Sequence, residues 1–123
     1  NAGLSEALGE RALRDLEREF ADGLPTVLCC HFPLYDAALL RRERAANKQK
    51  PASAWMMVGE RVEGVEPDPL ARKTIEFLKS RPNLKAVLSG HLHAFWQGTF
   101  NGTVPMIVAP PNYSGGVLEI EAL

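Results

Sequence analysis

The sequence predicts an α/β domain built on a mixed β-sheet. Two short apolar runs rich in β-formers, residues 26–30 and 83–88, each follow a segment of helical periodicity. Asn101-Gly102 then separates two alternating segments, the strongest hairpin signal in the chain. Helix–strand–helix–strand followed by a hairpin combines crossover-linked with hairpin-linked strands, which makes the sheet mixed.

At 123 residues, 46% of them hydrophobic, the chain is one domain or part of one, with enough apolar side chains for a core. A formal net charge of −1 gives no general argument for nucleic acid or for an acidic membrane surface as partner. No signal-peptide pattern occurs, and no apolar run is long enough to cross a bilayer. Cys29 and Cys30 are neighbours on an expected strand, so their side chains point to opposite faces and a disulfide between them is not expected. Buried, reduced thiols and a cytoplasmic setting are the expectation. Asn1-Ala2 resembles the remnant of a cleaved expression tag and is left out of the fold reading.

Residues 4–20 read as a helix. Leu4, Leu8, Ala12, Leu16 and Phe20 recur every fourth position, and charged residues occupy most of the other faces. Glu10 and Arg14 form a favourable i,i+4 pair, Arg14 and Arg18 an unfavourable one. Gly23 and Pro25 end the helix. Residues 26–30 form a buried strand that Pro33 stops. Residues 36–50 read as a helix capped by Asp36, with Leu39, Leu40 and Ala46 on its apolar side. Its Arg41, Arg42, Arg44, Lys48 and Lys50 form a solvated basic face or, alternatively, a positive rim for an anionic substrate. Residues 51–67, with Trp55, Met56 and Met57, read as a long loop or lid.

Asp68-Pro69 starts another helix, with Ala71, Ile75, Phe77 and Leu78 on its apolar side and Pro82 beyond its end. Strand 83–88 follows. Alternation through Phe95 and Trp96 to Phe100, the Asn101-Gly102 turn and a return strand over 103–109 complete the hairpin. Pro105 suggests that the return strand is an edge or carries a bulge. After Pro110-Pro111-Asn112, Gly115-Gly116 leads into a last strand over 117–120. Phe95 and Trp96 read as core or, alternatively, as the lining of a substrate pocket, Asn112 and Tyr113 as turn residues or, alternatively, as substrate contacts, and Glu119 and Glu121 as solvent-facing strand residues.

The candidate chemistry lies in the histidines. His91 and His93 follow the apolar run 86–88 and Ser89-Gly90, and Gly90 favours a backbone turn there. At i and i+2 of an extended segment both imidazoles face one point, a good arrangement for a divalent cation. His31, the third histidine of the chain, follows the other buried run. All three therefore sit at the mouths of expected strands. Ser89 is a candidate to orient a ligand histidine.

Gly90-His91-Leu92-His93 resembles the GHxH signature of the calcineurin-like metallophosphoesterases, and His31-Phe32-Pro33-Leu34 resembles the histidine block that precedes it in that family. The resemblance covers nearly the whole chain. It implies a sheet with helices on one face, half of the family's α-β-β-α sandwich. It also implies two divalent metals, from among Mn, Fe, Zn, Ni and Co, that clamp a phosphate-ester oxygen and activate a bridging water. His31 and His91 would bind one ion and His93 the other. The family's Asp-x-His, Gly-Asp-x-x-Asp and Gly-Asn-His blocks have no counterpart in this sequence. They would contribute the bridging carboxylate, the asparagine ligand and the general acid. The resemblance therefore implies a single domain, residues 1–123, that is the C-terminal half of such an enzyme and is nearly inactive without the N-terminal half.

A half sandwich leaves one sheet face open. At about 25 cal/mol per Å², exposing ~600 Å² of apolar surface forgoes roughly 15 kcal/mol, comparable to a domain's net stability. The missing half, or more simply a second copy of the chain as a homodimer, is expected to cover it. Two other functional classes fit the residues: a single-metal three-histidine site in a lyase or hydrolase, and a non-catalytic interaction module.

Overall fold

The computed structural model describes residues 9–46, 57–59 and 68–121. Helix α1 (Glu10–Phe20), strand β1 (Thr26–Cys29), helix α2 (Ala37–Ala46), helix α3 (Pro69–Lys79) and strands β2 (Leu84–Ser89), β3 (Trp96–Phe100) and β4 (Val104–Val108) follow in order, then a 3-10 turn at Asn112–Ser114. The four strands form one mixed sheet in the order β1-β2-β4-β3. β1 is parallel to β2, β2 is parallel to β4, and β4 is antiparallel to β3. The α/β class and the mixed sheet follow the sequence expectation.

Helices α2 and α3 start where short polar side chains can accept the first free N–H groups, whereas α1 starts after Gly9 without a side-chain cap. Asp36 Oδ1 accepts from the Ala38 and Leu39 amides at 2.8 and 2.9 Å. Asp68 Oδ1 accepts from Leu70 N at 2.8 Å, with Pro69 in the first turn, where its missing donor costs nothing. Arg14 meets Glu10 at 3.4 Å on α1, the expected i,i+4 pair. The start proposed for that helix, with Leu4 and Leu8, lies outside the described residues.

Strand alternation sorts the sheet into two faces. Leu28, Val87, Met106, Val108, Val104, Phe100 and Trp96 pack into one core with Phe20 and Leu16 of α1, Leu39 and Leu40 of α2, and Ala71, Ile75 and Leu78 of α3. The described helices thus supply one side of that core. Phe77 meets Phe20 edge-on at 5.8 Å and carries the Arg81 guanidinium over its ring at 4.7 Å. The opposite face carries Val27, which is 50% exposed, exposed Cys29 and half-buried Ala86, Leu88 and Ile107.

Four expectations change. Residues 117–120 form no strand: Val117 and Ile120 are exposed, and among the described residues this segment has no ladder partner to hold it extended. β4 is not an edge strand but lies between β2 and β3. Pro105 pairs with Thr99 on the β3 side, and the β2 ladder begins only at Met106, so the missing donor falls before it. Part of 51–67 is core rather than lid. Met57 and Val58 are buried, and Val58 exchanges hydrogen bonds with Pro33 O at 2.8 Å and Tyr35 N at 2.9 Å. Residues 51–56, with Trp55 and Met56, and 60–67 lie outside the described residues, as do Lys48 and Lys50. Ala46, expected on the apolar side of α2, is exposed at its end.

The hairpin forms as its dipeptide requires. Asn101 and Gly102 have φ of 53° and 75°, and Thr103 N bonds Phe100 O at 3.3 Å. Within β3, the Trp96 indole lies across Gly98, where a Cβ would come within 2.3 Å of the ring.

Candidate metal centre

The loops leaving β1, β2 and β4 all emerge at the carboxyl ends of three parallel strands, the usual place for a ligand in an open α/β sheet. Main-chain bonds tie them together. Cys30 N bonds Leu88 O at 3.0 Å, Gly90 N bonds His31 O at 3.0 Å, and Ala109 N bonds Ser89 O at 2.7 Å. These bonds extend the sheet ladder one step past the strands, so the first loop residues are held as firmly as strand residues.

On this frame His31 and His91, sixty positions apart, meet. His31 Nε2 and His91 Nδ1 are 3.3 Å apart, with ring centroids at 5.1 Å. Phe32 packs on both rings, at 4.9 Å from His31 and 4.1 Å from His91. His93 turns elsewhere and sets its ring edge-to-face against Tyr113 at 5.6 Å. Among the described residues, no three His, Cys, Asp or Glu side chains gather closely enough to hold a metal ion.

The route to this geometry differs from the sequence expectation. His91 and His93 do not occupy an extended segment. Both have positive φ, 67° and 54°, and Leu92 N closes a tight turn on Gly90 O at 2.8 Å. The left-handed backbone therefore falls on the histidines rather than on Gly90, where a Cβ would touch only His31 O at 4.0 Å. Two non-glycine residues at positive φ within three positions store strain, which in folded proteins concentrates at functional sites. Because the segment is not extended, the i,i+2 rule does not aim both rings at one point.

The donor set still fits part of a metal site. Two ligand nitrogens on one tetrahedral ion, each about 2.0–2.1 Å from it, lie ~3.3–3.4 Å apart. The His31–His91 separation matches that edge. The same spacing holds without an ion, when one neutral ring donates N–H to the other's lone pair. No family model, no curated protein and no solved structure matches this chain.

The neighbouring thiols divide by face. Cys29 is exposed on the open face, contrary to the expectation that both are buried. Cys30 turns inward and donates to Phe32 O at 3.1 Å; burial, then the neighbouring Cys29, pushes its pKa up to about 11. It is therefore a neutral, unreactive thiol at neutral pH. Ser89 is buried and its hydroxyl donates to Ile107 O at 3.4 Å, which ties β2 to β4. Sequence reasoning missed two features. One is Phe32 as the wall against His91, signalled only by its adjacency to His31. The other is Tyr113 beside His93, for which distance along the chain gave no sign. Phe95, expected in the core, is 51% exposed, whereas Trp96 packs against the core as expected.

Proposed function

We propose that this chain carries part of the metal centre of a divalent-metal-dependent phosphoesterase, one that hydrolyses phosphate monoesters or diesters. The observation that carries the reading is the convergence of His31 and His91 at a tetrahedral-edge spacing beyond the ends of two parallel strands. The resemblance assigns the first two histidines to one ion and the third to another, in keeping with a pair formed by His31 and His91 alone.

His31 Nε2 and His91 Nδ1 would hold an ion between them, and His93 is the candidate ligand for a second. When bound, such ions stabilise charge on phosphoryl oxygens and supply a nucleophile at neutral pH. Phe32 packs against both rings, edge-on to His31 and tilted to His91. The Gly90–His31 main-chain bond sets how close the two loops lie. The described residues add no third ligand to the pair, so the balancing carboxylates come from outside it. A companion half is the proposed source, and the isolated chain is expected to turn over phosphate esters poorly.

Calorimetric titration with zinc and with manganese tests the reading. The chain should bind one of these ions saturably, and both His31→Ala and His91→Ala should abolish that binding while the circular dichroism spectrum is kept. Equal binding by the wild-type chain and both variants would place the ion elsewhere and overturn the assignment.

A further inference from the structure

We infer that Tyr113 is a stacking platform for the organic group of the substrate, so that the preferred phosphate esters carry a planar aromatic ring, as nucleoside monophosphates do. The inference rests on the reading of the histidine cluster as a phosphate site and names the substrate class of that site.

Tyr113 is 76% exposed, on a backbone held by a tight turn. It sits in the 3-10 turn Asn112–Ser114, directly after Pro110-Pro111, whose rings restrict φ. Ser114 N and Oγ both donate to Pro111 O, at 3.2 and 2.7 Å, and Gly115 N donates to Asn112 O at 2.9 Å. Gly115 closes the turn at φ 75°. A Cβ on Gly116 would come within 2.4 Å of the Pro110 ring, so the loop folds tightly back on itself.

This loop leaves β4 at the same end of the sheet from which His31 and His91 leave β1 and β2. Its tyrosine meets His93, two residues beyond His91, at 5.6 Å and 87°. So mostly exposed a ring buries little apolar surface, and core stability does not explain it. An exposed aromatic on a tight turn, in edge contact with the candidate ligand His93, offers a planar ring a π-face next to that ligand. Stacking pairs a ring with any flat aromatic group, so the proposal specifies the class and not the base.

The test is calorimetry on the full chain with saturating zinc or manganese. Adenosine monophosphate, phenyl phosphate, glycerol phosphate and inorganic phosphate are compared in wild type, Tyr113→Ala and Tyr113→Phe. One stacked ring should make the aromatic esters bind roughly five- to a hundredfold tighter than glycerol phosphate. Tyr113→Ala should bring that ratio close to unity, and Tyr113→Phe should keep it. Equal affinity for aromatic and aliphatic esters in wild type, or a ratio that survives Tyr113→Ala, overturns the inference. Inorganic phosphate reads the underlying site separately. If it binds through the metal but shows no aromatic preference, the stacking role alone falls. If neither phosphate nor any ester binds, both readings fall. Preference for adenosine monophosphate over phenyl phosphate would identify a nucleobase as the ring.

Discussion

At the scale of single residues the two neighbouring cysteines make opposite predictions. Cys29 is exposed, and Cys30 is held as a neutral thiol by burial. Alkylation of the monomeric chain near neutral pH should label Cys29 and spare Cys30, as peptide mapping would show; equal labelling would mean that the inward face is open. The raised pKa also sets a pH dependence. Below the ordinary thiol value of 9.0 both states are protonated and stability is unaffected. Between that value and about 11 the unfolded chain gives up its proton first, so folding weakens as pH rises through the window. A shift of this size corresponds to about 2–3 kcal/mol, read from urea midpoints on either side of the window. Cys30→Ser should not remove the decline entirely, because Tyr and Lys groups also titrate at high pH. It should make the decline shallower.

The elements carry predictions of known size. Removing the Asp68 cap with Asp68→Ala leaves Leu70 N without its acceptor and should cost about 1 kcal/mol, seen as a lower melting temperature. Gly98→Ala should cost about 1–3 kcal/mol, because the new methyl group meets the Trp96 ring and drives the indole off the strand. A near-ultraviolet circular dichroism change should accompany that loss. Leu78 of α3 is 1% exposed in the core, so Leu78→Ala should cost about 2–5 kcal/mol by chemical denaturation. The Asp68 and Gly98 sites were legible in the sequence to different degrees. An Asp-Pro pair states a helix start by itself, whereas the glycine in β3 acquires its reason only once Trp96 is known to lie across it.

For the whole molecule the open sheet face is the dominant feature. Val27, Cys29, Ala86, Leu88 and Ile107 lie on it with no helix of the described residues over them. Among the described residues β1 is also an edge strand with one unpaired side. A second copy of the chain is the simplest cover. Size exclusion and light scattering at micromolar concentration should show a dimer, and Val27→Lys, which puts a charge on the edge-strand side of the apolar patch, should return it to monomer. A folded monomer at that concentration would show that the sheet tolerates water on this face. Among the described residues no helix is long and apolar enough to cross a membrane.

The sequence by itself determined the kinds of element, most of their limits, the two aspartate caps and the Asn101-Gly102 turn, and it singled out His31, His91 and His93 as candidate ligands. These are local signals: periodicity, capping and turn chemistry act within a few residues, so a linear reading reaches them. Only the tertiary structure decided that β4 runs inside the sheet, that Val58 joins the core and that 117–120 stays irregular, because strand order and ladder partners are properties of distant pairs. It alone decided that His31 and His91 touch, that His93 turns to Tyr113 and that both later histidines take left-handed backbone. Such contacts come from three loops leaving one end of a parallel sheet, and no spacing along the chain encodes how close those ends lie.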